Sequence, residues 1–465
     1  MASAWDCFDD DEPGSCAAPA DARGDAHPFF VARCVHFEAG LSLPRAVERL
    51  QATAGDVCAS SAAALAAACH EEAAACLQRR DAATFVALAS RRLQPAGGGW
   101  GQPAWLHAFA ACSLALAVSA LSAGDAAAAL ARCDTLMLAS LATDHAFDGE
   151  AGEADALPLG LRGVLGAVVD AALAALPPLP PPTWRDASRC GFQEALLPAC
   201  RSPPVLRVAY ASLSLVDFVN NFVLPCRPVV LTGCAASWPA MREWTFEALR
   251  AEHGRRIVPV EICAANDGGA AAHGRHHAMQ QEQGQQQQQQ HVPLCDVIDA
   301  CVSGAGVPES GAGVPYMSQH DLFFQLGPRF AAAIRVPRLL TGPPRAANVW
   351  LGGAGTVTHL HTDDAHNLLI QIRGVKRVRL FAAAPGAGRG ELAAALGAAG
   401  HPRGTPGSPL NLFSNVDAAE LDGQVVAGTP QVEATLAAGD ALFIPRGAWH
   451  HVASHAPSIS VNLWW

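Results

Sequence analysis

The sequence lacks regularly spaced cysteines. It contains no C-x-x-C pair, and its fifteen cysteines, which run from Cys7 to Cys301, leave the C-terminal third without any. Their odd number and scattered positions do not fit the paired pattern of a secreted disulfide scaffold or a zinc ribbon. We therefore predict reduced thiols in a protein of the nucleus or cytoplasm that is not secreted. Chemistry in the C-terminal third is predicted not to use a thiolate.

Positive charge is also scarce. Lysine and arginine number 31 against 42 aspartates and glutamates, which gives a formal net charge of −11. Direct sequence-specific binding of nucleic acid is not expected, because phosphate neutralisation needs clustered basic residues. The opening stretch "MASAWDCFDDDEPGSC" is acidic where a secretory signal is basic. The best membrane candidate, residues 106–123, contains a histidine and three serines, so we predict a buried helix and no membrane contact.

Composition changes along the chain and divides it into segments. Residues 1–30 are acidic and rich in Gly, Pro and Ala, which predicts a disordered tail. Residues 31–200 are alanine-rich with leucine and charge spaced by three or four, which predicts a helical domain with a Pro-rich spacer at 177–182. Residues 201–465 contain short runs rich in β-branched residues, which predict strands. A Gln- and His-rich insertion at 265–291 interrupts them, and we predict that it is disordered. The predicted fold class is α+β multidomain, with an N-terminal all-α helical domain before a β-sandwich or barrel.

Three features of this organisation have alternative interpretations. The polyproline run could be a ligand for SH3-type domains, but a short run at a domain edge is more typical of a spacer. The four histidines of the insertion could bind a metal, but a Gly- and Gln-rich loop does not hold ligands in geometry. The helical domain is predicted to be a docking or stabilising domain that carries no chemistry of its own.

A candidate metal site begins in the stretch "THLHTDDAHNLLIQI". Because side chains alternate along a strand, His361 and Asp363 share one face, while Leu360 and Thr362 point away. A third ligand is available in "GDALFIPRGAWHHV", where only one of two adjacent histidines can face inward, and we assign His450. Two imidazoles and one carboxylate on one side of a metal form the facial triad of non-haem Fe(II) oxygenases. The same ligands could also hold zinc with a water, so the triad alone leaves the reaction open.

A lysine in the next strand favours one reaction class. In "GVKRVRLF" the side chain of Lys376 lies on the face opposite to Arg377 and Arg379, so alternation turns it inward. An ammonium group inside an apolar barrel is costly unless an anion meets it. An anionic co-substrate with one end on the metal and the other on Lys376 would supply that anion. The alternative interpretation of Lys376 is that it belongs to a basic, solvated face of the strand or to a nuclear-import cluster.

These stretches together resemble the jumonji-C family of Fe(II)- and 2-oxoglutarate-dependent oxygenases, and within it the branch of the jumonji domain-containing protein five type. The resemblance runs from about residue 203 to the end and covers more than half of the chain. The matching stretches are "LVDFVNNFVLPCRPVVLTGCAASWPAMREWTFEALR", "VPYMSQHDLFFQL", "NVWLGGAGTVTHLHTDDAHNLLIQIRGVKRVRLF", "GDALFIPRGAWHHV" and "SISVNLWW". The resemblance implies a double-stranded β-helix, the cupin-like jelly roll, as the fold of this domain.

The resemblance also implies roles for individual residues. His361, Asp363 and His450 match the ligands of Fe(II), and Lys376 matches the residue that binds the distal carboxylate of 2-oxoglutarate. Six further residues match the surroundings of the co-substrate: polar groups at Tyr316, Thr358 and Asn367, aromatic groups that line or close the pocket at Trp350 and Trp464, and a polar neighbour at Gln319. His359 has no counterpart among the family's ligands, so we interpret it as a pocket residue or a surface residue.

The implied activity is hydroxylation of an aliphatic C–H of a protein side chain, arginine or similar, with 2-oxoglutarate and O2 as co-substrates and succinate and CO2 as products. The expected partner is a protein or peptide, such as a histone or a ribosomal or chromatin-associated protein. The alternative is demethylation of a histone lysine of the H3 lysine 36 type. We favour hydroxylation because the chain has none of the Cys/His-rich chromatin-reading modules of many jumonji demethylases. A cupin-like binding module without catalysis is a third hypothesis.

Overall fold

The structure is a computed structural model that describes eleven ranges of the chain: 27–33, 41–68, 70–92, 103–144, 159–184, 202–263, 290–304, 314–381, 398–399, 410–414 and 431–465. Most of the predicted acidic tail and most of the predicted Gln- and His-rich insertion lie outside these ranges. The last two residues assigned to that insertion, Gln290 and His291, belong to a strand.

The N-terminal part is helical. Within the ranges that the structure describes, it forms seven helices: α1 (Pro28–Arg33), α2 (Leu43–Ala67), α3 (Glu71–Gln78), α4 (Ala82–Arg92), α5 (Pro103–Ser122), α6 (Ala126–Asp144) and α7 (Leu159–Ala175). Alanine has the highest helix propensity, and its small side chain lets the helices approach closely in a core formed largely of Ala and Leu. Helix α5 is long and apolar enough to cross a membrane, but 56% of its apolar window is buried within this structure. It packs against α2, α4, α6 and α7, as expected for the core helix of a bundle.

Two segments of the N-terminal part contact the β part. Helix α1 begins inside the tail that the sequence predicted to be disordered, and Phe30 is fully buried in the core of the β part. Its ring centre lies 4.7 Å from that of Phe323, so this phenylalanine anchors the helix in the apolar core of the β part. The Pro-rich spacer runs extended, and the carbonyl of Pro180 accepts a hydrogen bond of 2.7 Å from Arg250. The carbonyl of Pro177 accepts a further hydrogen bond from Arg255, so the spacer is attached to the β part at two points.

The described residues of the C-terminal part form fifteen strands and six short α-helices. The strands are β1 (Arg207–Ala209), β2 (Val229–Thr232), β3 (Ile257–Cys263), β4 (Gln290–Pro293), β5 (Val314–His320), β6 (Ala346–Gly352), β7 (Val357–Asp363), β8 (Asn367–Arg373), β9 (Lys376–Phe381), β10 (Ala398–Ala399), β11 (Leu410–Ser414), β12 (Gln431–Leu436), β13 (Ala441–Ile444), β14 (Trp449–Ser454) and β15 (Ser458–Trp464). The helices are α8 (Leu215–Phe218), α9 (Ala240–Glu243), α10 (Phe246–His253), α11 (Leu294–Ser303), α12 (Leu322–Leu326) and α13 (Pro328–Ala331).

The strands form two sheets that face each other. One has the order β1-β2-β13-β8-β15-β6-β5-β3-β4, and the other the order β10-β11-β7-β14-β9-β12. From β6 to β9 and again from β12 to β15, successive strands alternate between the two sheets, which is the winding of a jelly roll. The predicted fold, a helical domain followed by a double-stranded β-helix, is confirmed.

A glycine turn determines where β9 begins. Gly374 has φ 73°, and a side chain there would place its Cβ 2.2 Å from the carbonyl oxygen of Pro457. Only glycine fits this conformation and this contact. The turn ends β8 and starts β9 at Lys376, whose side chain is thereby directed between the sheets.

Candidate metal centre

Two adjacent strands of the smaller sheet bring the three predicted metal ligands together. His450 of β14 is the register partner of His361 of β7. The Nε2 atom of His361 lies 3.6 Å from Oδ1 of Asp363, and Nε2 of His450 lies 3.7 Å from Oδ2. One ligand atom from each residue falls within 4.8 Å of the other two, and all three side chains are buried. Neutral imidazoles and a carboxylate at this separation are a donor set for a divalent cation.

The Asp363 carboxylate is held in one orientation by its neighbours. Its Oδ2 accepts hydrogen bonds from Nδ2 of Asn367 at 3.0 Å and from Nε1 of Trp464 at 3.2 Å. Its Oδ1 is buried and has no hydrogen-bond partner among the residues that the structure describes. Burial raises the pKa of this carboxyl above its usual range, because the charged form loses hydration. A cation at the cluster would satisfy Oδ1 and favour the charged form, so the residues present fit a metal ion.

The tautomer of His450 also suits metal binding. Its Nδ1 lies 3.0 Å from the carbonyl oxygen of Ala448, which can only accept a hydrogen bond. Nδ1 therefore carries the proton, and the lone pair of Nε2 points toward the cluster. Metal-binding histidines commonly have this outer hydrogen bond, which fixes the ring orientation.

An irregularity in β7 changes which residues face the cavity. His450 pairs with His361 but Val452 pairs with Thr358, so β7 contains one extra residue between these two pairs. Simple alternation would have directed Thr358 away with Leu360. With the bulge, Thr358 lines the cavity, and its hydroxyl oxygen lies 3.1 Å from that of Tyr316. His359 lies in the bulge, and its side chain is outside the described part of the structure.

The cavity has a second polar end at Lys376. This side chain is 2% exposed, and its Nζ lies 5.7 Å from the ring centre of Tyr316 and 5.8 Å from that of Trp350. No carboxylate of the described residues forms an ion pair with it. Burial lowers the pKa of Lys376 to about 7, because a desolvated ammonium is unfavourable. A buried lysine of this kind is a candidate for binding an anion.

Both ends open into one cavity. Nine of the ten residues predicted for the site line it, together with three apolar side chains and one asparagine. The lining residues are Tyr316, Trp350, Thr358, His361, Asp363, Asn367, Leu369, Lys376, Ile444, His450, Val452, Asn462 and Trp464.

Gln319 is the predicted site residue that does not line the cavity. Its backbone has φ 45°, an unusual value for a residue other than glycine. The register between β5 and β6 shifts between Met317 and His320, so β5 does not alternate regularly through this position. Gln319 is also three residues from Tyr316, so strand alternation alone would not direct both side chains to the same face.

Arg377 also differs from the expectation that it lies on the solvated face of β9. Its side chain is 7% exposed, and its Nε lies 2.5 Å from Oε1 of Glu433. Glu433 belongs to β12, which pairs with β9 and covers this face. Lys376 faces the opposite way, as strand alternation predicted. Alternation did not predict that Arg377 would be buried as well.

Two polar residues near the cavity were not predicted from the sequence. Asn462 accepts a hydrogen bond of 2.8 Å from Trp350, and its Nδ2 is buried with no hydrogen-bond partner among the described residues. Glu261 lies directly opposite Tyr316 on β3 and accepts a hydrogen bond of 2.7 Å from Ser318. Burial raises the pKa of Glu261. Glu261 is the one charged residue of the apolar stretch "IVPVEIC", and Asn462 stands between Val461 and Leu463 in "SISVNLWW"; that contrast was the available signal.

The chain is similar to several known proteins. The profile of the cupin-like domain matches residues 216–465. The chain is 32% identical over 274 residues to the Jumonji C domain-containing protein 5 of Drosophila melanogaster, a match covering 54% of this chain and 58% of that protein. It is 29% identical over 287 residues to lysine-specific demethylase 8 of Danio rerio, covering 57% and 61% of the two chains. The bifunctional peptidase and (3S)-lysyl hydroxylase JMJD7 of Homo sapiens is 25% identical over 269 residues, covering 54% and 80%. The matches span little more than half the length of the first two relatives.

Proposed function

Because the chain belongs to the cupin-like JmjC family, we propose that it is an Fe(II)- and 2-oxoglutarate-dependent dioxygenase that hydroxylates an aliphatic C–H of a protein side chain. The observation that carries this proposal is one cavity with two complementary ends. The cluster of His361, Asp363 and His450 fits a divalent cation at one end, and the buried ammonium of Lys376 fits an anion at the other. A dicarboxylate that spans the cavity would satisfy both.

In this proposal each residue has a definite task. His361, Asp363 and His450 hold Fe(II), which together with 2-oxoglutarate and O2 supplies the oxidising power to hydroxylate an unactivated C–H and yields succinate and CO2. Lys376 pairs with the distal carboxylate, and the hydroxyls of Tyr316 and Thr358 are close enough to each other to donate to the same anion.

The apolar side chains around these groups exclude water. Leu369, Ile444 and Val452 line the same cavity as the polar cluster. In a cavity of low polarity an ion pair between Lys376 and a carboxylate is stronger than in water. Excluding water also protects a reactive centre from side reactions. The apolar remainder of the strands that carry the ligands therefore belongs to the chemistry of the site.

Glu261 favours a cationic substrate side chain, and arginine in particular. Glu261 does not line the cavity but lies beside Tyr316 on the neighbouring strand, and we propose that a substrate side chain bound next to Tyr316 contacts its carboxylate. A guanidinium offers two parallel N–H donors to one carboxylate, whereas a methylated ammonium offers fewer donors or none. This difference supports hydroxylation of arginine over demethylation of lysine.

Demethylation of a histone lysine is the second candidate. Four of the similar proteins carry the name of lysine-specific demethylase, and one the name of lysyl hydroxylase. Both reactions would use the same metal end and the same lysine end, so only the substrate separates them. A binding module without catalysis is the third candidate, and the intact cluster with Lys376 argues against it because binding alone needs neither.

The proposal is tested with purified protein, Fe(II), ascorbate and 2-oxoglutarate, using matched peptides that contain arginine, lysine or methylated lysine. We expect succinate release and a peptide that gains the mass of one oxygen atom, both lost in His361→Ala.

Glu261→Gln should raise the KM for the arginine peptide about tenfold without changing the KM for 2-oxoglutarate, since a charge-assisted pair is replaced by a neutral one. Loss of a methylene mass from a methyl-lysine peptide would instead establish the demethylase. If no peptide supports turnover and iron does not bind, the enzyme proposal is wrong.

A further inference from the structure

Helix α12 connects the helical part of the protein to the wall of the cavity. It directly follows β5, and three consecutive residues contact three different regions. Phe323 packs in the core of the β part, and Phe324 belongs to the core of the helical part. Gln325 is fully buried in a polar network between the two. A short helix fixed on three sides cannot move independently of any of them.

The centre of that network is Asp134 of α6, which is fully buried. Its Oδ1 accepts hydrogen bonds from Nε and Nη2 of Arg256 at 2.9 and 2.6 Å and from Nε2 of Gln325 at 2.9 Å. Its Oδ2 accepts a hydrogen bond from the backbone N–H of Ile257 at 2.8 Å. One carboxylate of the helical part therefore binds the start of β3 and helix α12 at the same time.

Gln325 extends the network to the end of β5. Its Nε2 also donates to the carbonyl of Ile257 at 2.7 Å, and its Oε1 accepts from Nε2 of His320, the last residue of β5, at 2.8 Å. All the side chains between Asp134 and His320 are buried. Because these bonds have no competition from water, breaking one leaves a buried polar group without its partner.

The residue before His320 is conformationally strained. Gln319 has φ 45°, in the left-handed region, and the strand register shifts beside it. Such a conformation persists only where the surrounding structure determines it. The hydrogen bond that holds His320 supplies this constraint on one side of Gln319. On the other side, β5 continues to Tyr316, whose hydroxyl contacts Thr358 in the cavity.

We propose that Asp134 is a positioning residue for the cavity: through Gln325 and His320 it holds β5 in the strained register that sets Tyr316 against Thr358. The helical part is then a component of the site and not only an attached module. This role does not depend on which reaction the cavity performs.

Hydrogen exchange of the full chain tests the proposal without any assumption about activity. In Asp134→Asn we expect the backbone amides of residues 314 and 316–320 to exchange about tenfold faster, since removing a buried charge partner weakens the constraint on that segment locally; residue 315 is proline and has no amide hydrogen. Residues 367–373, in strand β8 of the same sheet, should keep their protection. Asp170→Asn, which removes an exposed carboxylate from α7, is the matched control and should change neither segment. Equal loss of protection in both segments, or none in 314–320, would overturn the proposal.

A second readout separates positioning from simple stabilisation. Asp134→Asn should raise the Kd for 2-oxoglutarate about tenfold while the affinity for Mn(II) is retained, because the three metal ligands lie on β7 and β14 of the other sheet. Adding Gln319→Gly, which removes the strain, should restore the Kd for 2-oxoglutarate but not the unfolding temperature. A double variant that recovers neither, or that recovers both together, contradicts the positioning role. If wild type fails to bind 2-oxoglutarate, the proposed function is wrong, and the exchange experiment still decides the role of Asp134.

A variant that keeps the ion pair covers the case in which Asp134→Asn does not fold. Gln325→Met leaves the Asp134–Arg256 pair intact and removes the side-chain hydrogen bonds from Gln325 to Asp134, Ile257 and His320. We expect the same faster exchange over residues 314–320. Unchanged exchange there in a folded Gln325→Met protein would show that the network does not hold β5.

Discussion

The two ends of the cavity bury polar groups in different ways. At the metal end, Asp363 is held by Asn367 and Trp464, and His450 by a backbone carbonyl, so the groups are oriented before any ligand arrives. At the lysine end, Lys376 lies near two aromatic rings and has no ion pair with the residues that the structure describes. The difference teaches that one end is preorganised by the protein, while the other is completed by its ligand.

The largest effect is expected at the preorganised end. Asp363→Ala should weaken metal binding by more than about 100-fold and abolish turnover, because it removes a ligand as well as the acceptor for Asn367 and Trp464. Isothermal titration with Mn(II) measures the affinity. Asp364→Ala, the neighbouring carboxylate, is the control and should bind normally. A metal affinity that survives in Asp363→Ala would place the cation elsewhere.

At the other end, Lys376→Met should separate function from stability. We expect 2-oxoglutarate affinity to fall by about 100-fold, since an ion pair buried in a cavity of low polarity is lost. The free energy of unfolding of the ligand-free protein should rise by at least about 1 kcal/mol, because methionine fills the space without desolvating an ammonium. Ligand titration and denaturant unfolding measure the two quantities. A variant that loses stability would show that the lysine has a structural partner.

A smaller effect is expected for Trp464, because the Asp363 carboxylate that it holds also accepts a hydrogen bond from Asn367. Trp464→Phe removes the indole N–H from Oδ2 of Asp363 but leaves the hydrogen bond from Asn367. We expect metal affinity to fall about tenfold, the lower end of the range for outer hydrogen-bond partners. Trp465→Phe is the matched control, since its indole donates to Thr341 and does not line the cavity. Equal losses in both variants would mean that packing, and not the hydrogen bond, supports the carboxylate.

The smallest effect is a pH dependence that belongs to the lysine end. The pKa of Lys376 is lowered to about 7, so its side chain loses its charge as the pH rises through that value. Binding of an anion requires the charged form, and the affinity for 2-oxoglutarate should therefore decrease as the pH rises, by about fivefold between pH 7 and 8. Titration of the metal-loaded protein in buffers of different ionisation enthalpy would detect the accompanying proton uptake. In Lys376→Arg the dependence should disappear, because arginine stays charged.

Local patterns predicted much of this site, and long-range contacts account for the rest. Strand alternation is a local property, so it was sufficient to place His361 with Asp363 and to turn Lys376 inward. The position of Thr358 depends on a bulge, and the burial of Arg377 depends on Glu433 from a strand far along the chain, so neither was visible in a short window. The jelly roll followed from the family resemblance, since short β-branched runs alone did not distinguish a sandwich from a barrel.

The link between the helical part and the cavity could not have been predicted from the sequence. Asp134 lies in an alanine-rich helix, where an aspartate ordinarily indicates a solvated face. Its burial depends on Arg256 and Gln325, which are more than 100 residues away in the chain. Only the fold brings these three side chains together.

Titration of 2-oxoglutarate into the protein without oxygen tests the central claim most directly. With Fe(II) or Mn(II) bound, wild type should take up one equivalent of 2-oxoglutarate, and the affinity should drop both when the metal is removed and when Lys376 is replaced by Met. That result would show that the two ends of one cavity bind one ligand together. Binding of 2-oxoglutarate that is unaffected by the metal, by His361→Ala and by Lys376→Met would contradict the account.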